Sequence, residues 1–139
     1  MLHLAAKQPR AAIDWFGKSL NLNKTLFLSL RGRSDALISI GEHKKAARDL
    51  KAALKMHPED SGVLNNLAWL FATSPDDELR DATQAIELAT KACEKTEWKA
   101  AHIISTLAAG YAESGDFKKA CKFSQKALDA DAGNGGLDE

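Results

Sequence analysis

The sequence predicts an all-α fold, an α-solenoid of antiparallel helix pairs with about three and a half repeats. The first observation is a phrase of six residues that starts at Gly41, ends at Ala46 and returns between Gly115 and Ala120. The second is a period, since the alanines at positions 12, 46, 82 and 120 lie 34, 36 and 38 residues apart. Such a period is typical of stacked helix pairs and favours binding along a surface over chemistry in a pocket.

The composition is that of a single soluble domain of 139 residues, with 45% apolar and 27% charged side chains. The 19 basic and 19 acidic residues cancel, which argues against nucleic acid or an anionic membrane as a partner. Residues 1–60 hold eleven basic and six acidic side chains, whereas residues 61–139 hold eight and thirteen. This polarity either orients a partner or is scatter on a solvated surface. The sequence has no recognisable signal peptide and no segment long enough to span a bilayer.

Two cysteines, Cys93 and Cys121, set no disulfide framework. Both fall on the predicted apolar side of a helix, but at levels that differ by roughly 15 Å, which is too far for a bridge. We therefore expect two buried free thiols. This state suits a reducing compartment, and the predicted location is the cytoplasm.

The helices follow in order from local signals. Residues 7–24 are predicted to be the second half of an earlier pair, with a helix stub at residues 2–6. The next helix covers residues 24–40, and Gly41 ends it because glycine adopts the left-handed conformation without strain. Its partner covers residues 43–56, after which Pro58 blocks continuation.

Polar caps and breakers define the remaining helices. Asp60 or Ser61 caps the next helix, which stops before Pro75, and its partner runs from about residue 80 to 96. Residues 100–114 and 117–130 form the last pair, with Asp116 as its internal cap. The predicted domain is residues 1–132, divided into units 1–24, 25–58, 59–96 and 100–132. A glycine-rich flexible tail follows at residues 133–139.

Small residues recur where the two helices of each pair are expected to cross. Only a small side chain lets two backbones approach, so these positions fix the packing. Bulky residues three positions later fill the space between the crossings. The small residues are Ser34, Ala68 and Ala108 on first helices and Ala46, Ala82 and Ala120 on second helices, and the bulky ones are Leu37, Phe71 and Tyr111.

This pattern resembles the tetratricopeptide repeat, in which a small residue, an aromatic residue, a turn glycine and second-helix alanines precede a proline. Residues 27–58 fit nearly throughout. The later matches are Leu64, Leu67, Ala68, Phe71, Ala82 and Ala89, then Leu107, Ala108, Tyr111, Gly115, Ala120 and Ala127. Arg33 and Ser34 depart from the preferred Leu and Gly, and Ser124 replaces a bulky residue. The stretched third unit is similar to repeats common in large bacterial proteins.

The resemblance implies that the first helix of each pair lines a concave groove. Helical spacing then gives a set of outward residues that would contact a peptide. These residues are Arg31, Asp35, Asn65, Asn66, Trp69, Thr73, His102 and Thr106, with Ile38, Ser105 and Ala109 beside them. Asn side chains bond both donors and acceptors of an extended backbone. Alternatively, Asn66 braces neighbouring helices and Trp69 packs against the previous repeat.

Some members of the family hold the terminal carboxylate of chaperone tails with basic and Asn side chains at five groove positions. Of the matching positions here, only Arg31 and Asn66 agree. Asp35 would repel a carboxylate, and His102 and Thr106 replace the last two basic residues. We therefore expect this carboxylate clamp to be absent.

The sequence predicts no catalytic residue, no cofactor and no metal site. The four histidines fall in separate elements, and neither a phosphate-binding glycine loop nor a nucleophile elbow is present. A basic stripe runs along residues 43–56. Without interleaved aromatic residues, it is typical of a solvated face and only weakly indicates nucleic-acid binding. Its members are Lys44, Lys45, Arg48, Lys51 and Lys55.

The predicted function is that of a non-catalytic scaffold for protein–protein interaction, which holds a peptide or a partner helix in its groove. One alternative is self-assembly, in which uncapped solenoid ends pair to give a homo-oligomer. A second alternative is a regulatory segment of a larger multidomain protein. The sequence does not name the partner, because solenoid grooves differ by only a few side chains.

Overall fold

The computed structural model describes residues 9–22 and 27–136, and the predicted stub at residues 2–6 lies outside them. These residues form seven α-helices and no strand. The all-α prediction is thus confirmed for the described part of the chain. The helices are α1 (Pro9–Leu22), α2 (Phe27–Ser39), α3 (His43–Met56), α4 (Ser61–Thr73), α5 (Ala82–Lys95), α6 (Ala101–Ser114) and α7 (Phe117–Gly136).

The chain divides into two compact units, Met1–Pro58 and Glu59–Glu139. In the first unit α2 packs against both α1 and α3. In the second unit each helix packs against the next, and α4 also contacts α6 directly. Within each unit, helices that are consecutive in sequence are therefore neighbours in space, as the helix-pair prediction requires.

The two copies of the repeated glycine phrase adopt the same turn. Gly41 and Gly115 have φ angles of +82° and +89°, which is the left-handed region. After Gly41, the N–H of Glu42 donates to the carbonyl of Leu37 at 2.9 Å, and after Gly115, that of Asp116 donates to Tyr111 at 3.0 Å. This hydrogen-bond pattern ends a helix on a left-handed residue, so the predicted role of both glycines is confirmed.

Gly115→Ala should lower the free energy of unfolding by about 1 kcal/mol, because an L side chain is strained at positive φ. Gly17→Ala is the matched control. Gly17 lies inside α1 and an added Cβ would meet no atom within 4 Å, so this change should raise stability by about 0.5–1 kcal/mol. Urea unfolding of both variants checks the pair. Equal stability of Gly115→Ala and the wild type would contradict the turn assignment.

Carboxylates cap three helices of the second unit. The side chain of Asp60 accepts the N–H of Val63 at 2.9 Å, which decides between the two predicted caps of α4. Asp81 accepts that of Gln84 at 3.1 Å, so α5 begins at Ala82 rather than near residue 80. Asp116 accepts the N–H of Lys119 at 3.1 Å, as predicted.

The small residues predicted at the helix crossings are largely inside the core. Ser34, Ala46, Ala68, Ala108 and Ala120 are buried. The sixth small residue is only half-buried, because it opens α5 at position 82. Among the three bulky positions, those at 37 and 71 are buried, whereas the tyrosine at 111 is half-buried and stacks on a ring of α7.

Two predictions about the last helix need correction. Helix α7 continues to Gly136, beyond the expected end at Ala130, since no proline interrupts it. Cys121 is exposed, so the expectation of two buried thiols holds only for Cys93. Ala120 faces the core, and Cys121 lies about 100° further around the helix, outside the packed face. The flexibility predicted for the tail stays a prediction, and its last three residues lie outside the described ones.

The stretched unit owes its length to two ordered connections. Between α4 and α5, the guanidinium of Arg80 donates to the carbonyl of Ser74 at 2.8 Å and pairs with Asp77 and Glu113. After α5, Glu97 and Trp98 both have positive φ, and the Trp98 N–H donates to Cys93 at 2.8 Å. The extra residues thus form two fixed turns.

Aromatic stacking holds the second turn in place. The ring of Trp98 stacks on Phe123 of α7 at 5.9 Å between centroids, and Phe123 stacks on Tyr111 at 5.4 Å. The ammonium of Lys126 lies 4.4 Å from the Trp98 ring centroid, which adds a cation–π contact. These contacts compensate for two non-glycine residues in the left-handed region.

Candidate binding surface

One stripe of α4 faces away from the core. Leu64, Leu67 and Phe71 are buried on the inner side. Trp69, two residues from Leu67, has 45% of its surface exposed. Asn65 lies one turn before it and Thr73 one turn after, so the three form a single row.

The row combines an unpaired polar atom of Asn65 with the flat apolar surface of the Trp69 indole. The Oδ1 atom of Asn65 is buried and has no hydrogen-bond partner among the described residues. Buried oxygens of this kind are uncommon in folded proteins, because losing water without a replacement is costly. The Thr73 hydroxyl donates to the carbonyl of Trp69 at 2.7 Å, which leaves its lone pairs available. Asn66, the neighbour of Asn65, is half-buried.

Helix α6 contacts α4 and carries the next predicted residues. His102 and Ser105 are exposed, and they line a groove of about 480 Å³ with residues of α7 that include Leu128. Thr106 is buried, and its hydroxyl donates to the carbonyl of His102 at 3.1 Å. His102 therefore offers its side chain to solvent, whereas the Thr106 side chain is part of the helix packing.

Arg31 and Asp35 lie one turn apart on α2, in the first unit. The guanidinium of Arg31 lies 5.7 Å from the ring centroid of Phe27. Partial burial raises the pKa of Asp35, and the positive charge of Arg31 partly offsets this effect. Of the eight predicted residues, the other six lie on α4 and α6 in the second unit.

An ion pair that the sequence reasoning missed lies in the first unit. The Nε and Nη2 atoms of Arg33 each donate to a carboxylate oxygen of Asp49 at 2.7 Å, and Asp49 is buried. These hydrogen bonds raise the pKa of Arg33, so its guanidinium stays protonated and positively charged. The signal was present in the sequence: Arg33 departs from the repeat pattern, and Asp49 interrupts the buried face of α3 beside Leu50.

Few side chains of the described residues are placed to bind a metal ion or to react with a substrate. No group of three or more potential metal ligands occurs among them. Burial raises the pKa of the Cys93 thiol to about 11, which keeps it protonated and unreactive near neutral pH. Within the same residues, every helix is too short or too polar to cross a membrane.

Packed helix pairs, with an outward row on α4, the first helix of its pair, are typical of helix-pair repeat proteins of the interaction-scaffold class. A family model described as tetratricopeptide repeat matches residues 18–135. The chain therefore belongs to the tetratricopeptide repeat family, and the predicted resemblance is confirmed. Proteins of this family are typically non-catalytic scaffolds for protein–protein interaction.

Solved structures support the fold. One crystal structure of MamA has a TM-score of 0.82 and 19% sequence identity, and covers 96% of this chain and 75% of that chain. Another MamA structure has a TM-score of 0.78 and 20% identity, with coverage of 92% and 67%. At these identities the likeness concerns the fold alone. A comparison with curated proteins finds no match.

Proposed function

We propose that this chain is a non-catalytic interaction scaffold whose outward rows on first helices bind an extended peptide or a partner helix. The observation that carries the proposal is on α4. There, the buried, unpaired Oδ1 atom of Asn65 lies one turn from Trp69, whose indole is almost half exposed. The unpaired oxygen and the exposed part of the indole are not satisfied in the free protein, and both suit a bound chain.

An extended peptide supplies what each side chain lacks. Asn65 Oδ1 is buried in the free protein, so the peptide's backbone N–H groups would donate to it once the amide rotates towards the groove, and the oxygen would then gain the partner that it lacks. An apolar side chain of the peptide would cover the Trp69 indole, a residue type common at the centre of protein interfaces. Asn66 and Thr73 on α4 and His102 on α6 would add polar contacts around this centre.

Peptides selected from a random library on the immobilised protein test the proposal. We expect Trp69→Ala to weaken a selected peptide by about tenfold or more, because a central aromatic anchor contributes at least 1.4 kcal/mol. Trp15→Ala is the matched control, since Trp15 is also 45% exposed but lies on α1, a second helix. Fluorescence anisotropy of a labelled peptide gives the affinities.

Two results would count against the proposal. One is a selection that enriches no peptide from the library. The other is a set of peptides that bind Trp69→Ala as tightly as they bind Trp15→Ala. Circular dichroism of both variants confirms that a lost affinity does not come from lost helix.

A further inference from the structure

A cavity of about 320 Å³ lies in the first unit, between α1, α2 and α3. The ion pair of Arg33 and Asp49 lines this cavity. Both oxygens of Asp49 are occupied by Nε and Nη2 of Arg33, so the two charges cancel. The Nη1 atom of Arg33 forms no hydrogen bond within the described residues, and the side chain remains 30% exposed. The pair therefore gives the cavity a polar surface with spare donors.

The other charged side chains of the cavity do not cancel. Arg10, Lys45 and Arg48 line it, and within the described residues none of them forms an ion pair. Glu42 is the opposing acidic side chain. Three positive charges against one negative charge leave two positive charges for a ligand. This balance matches a phosphomonoester, which carries a charge of about −1.5 to −2 at neutral pH.

The remaining lining is apolar. Ile13 of α1, Leu37 of α2 and Ile40 after it contribute branched aliphatic side chains. A cavity of this volume lies at the lower end of the range for small-molecule sites, which runs from about 300 to 1,000 Å³. It has room for one phosphate and one group of about the size of a ring.

We propose that this cavity is a binding site for a phosphomonoester carried on a small apolar or aromatic group. Arg10, Lys45 and Arg48 contact the phosphate, and the aliphatic wall takes the organic part. The site is separate from the surface on α4 and α6. Arg33 stands where the family prefers Leu, and a partly buried ion pair is seldom more stabilising than packed apolar side chains. In a ligand site this exchange has a use, because the spare Nη1 donor of Arg33 faces the cavity that the pair lines.

Phenyl phosphate is the probe, titrated into the full chain at low ionic strength and followed by calorimetry. We expect saturable binding that is at least about tenfold tighter than that of inorganic phosphate, since the aliphatic wall covers the ring. The variant Lys45→Ala/Arg48→Ala should lose at least about tenfold in affinity, because it removes two charge-assisted contacts. Lys51→Ala/Lys55→Ala removes the same charge from the same helix outside the cavity, and should bind like the wild type.

A second arm identifies the source of the phosphate group. If a short phosphotyrosine peptide binds as tightly as phenyl phosphate, the ligand is a modified side chain of a partner protein. If only phenyl phosphate binds, the ligand is a free small molecule. Three results overturn the proposal: no binding by either probe, equal losses in the two double variants, or inorganic phosphate binding as tightly as phenyl phosphate. All four mutated side chains are exposed, so the variants should retain the fold.

Discussion

Arg33→Ala is expected to lower the free energy of unfolding by about 2–3 kcal/mol. Asp49, with 6% of its side chain exposed, then keeps a carboxylate that has lost both of its guanidinium hydrogen bonds. Breaking a fully buried pair costs about 3–5 kcal/mol, and the smaller figure allows for the 30% exposure of the Arg33 side chain. Urea unfolding followed by circular dichroism measures the change.

The double variant Arg33→Leu/Asp49→Leu is the control for this interpretation. It removes both charges together and restores the residue that the family prefers at position 33, so most of the lost stability should return. If the double variant is as unstable as Arg33→Ala, the loss comes from side-chain volume rather than from the unpaired carboxylate. In that case the ion-pair account is wrong.

Leu107→Ala is expected to cost about 2–5 kcal/mol. Leu107 is 1% exposed in α6, and shortening it removes apolar contacts and leaves a cavity that the neighbouring helices cannot fully close. Leu128→Ala makes the same chemical change in α7, where the side chain is 63% exposed, and should cost less than about 0.5 kcal/mol. Both leucines lie in the second unit, so the difference between the two losses of unfolding free energy measures the effect of burying the side chain.

A small difference between these two variants would contradict the helix assignment. It would mean that the buried stripe of α6 is not the one that begins with Ile103 and Ile104. An intermediate loss of unfolding free energy in both variants would also contradict the helix assignment, because it would mean that each leucine is half-buried.

Helix ends and turns could be predicted from sequence because they depend on single residues and short range. Gly41 and Gly115 adopt positive φ, and Asp60 and Asp116 accept a backbone N–H three residues ahead. Each of these effects is local and does not need a tertiary structure. The repeat period then supplied the order in which the helices pack within each unit.

Contacts between distant residues could not be predicted in this way. Arg33 and Asp49 are sixteen residues apart, and their pairing depends on how α2 and α3 face each other. The left-handed turn at Trp98 contains no glycine that would predict it from sequence. It is held in place by stacking on the distant Phe123 instead. Cys121 was misplaced for a different, local reason, since it follows the core residue Ala120 by one position and the helix turns it outward.

The candidate surface was predicted only in outline. Helical spacing identified the outward row of α4, and Asn65 and Trp69 belong to it. Spacing alone could not tell which of the predicted surface side chains already have a hydrogen-bond partner. Thr106 of α6 hydrogen-bonds within its own helix, whereas Asn65 Oδ1 of α4 has no partner among the described residues. That distinction requires side-chain positions.

Amide chemical-shift mapping with a library-selected peptide tests the central claim most directly. We predict that titration of the isotope-labelled chain shifts the resonances of α4 and α6, with the largest changes at Asn65, Trp69 and His102. Resonances of α5, the second helix between them in sequence, should stay unchanged. Shifts confined to α7, around the exposed Phe117 and Leu128, with α4 and α6 unaffected, would contradict the account and favour an end-face interaction.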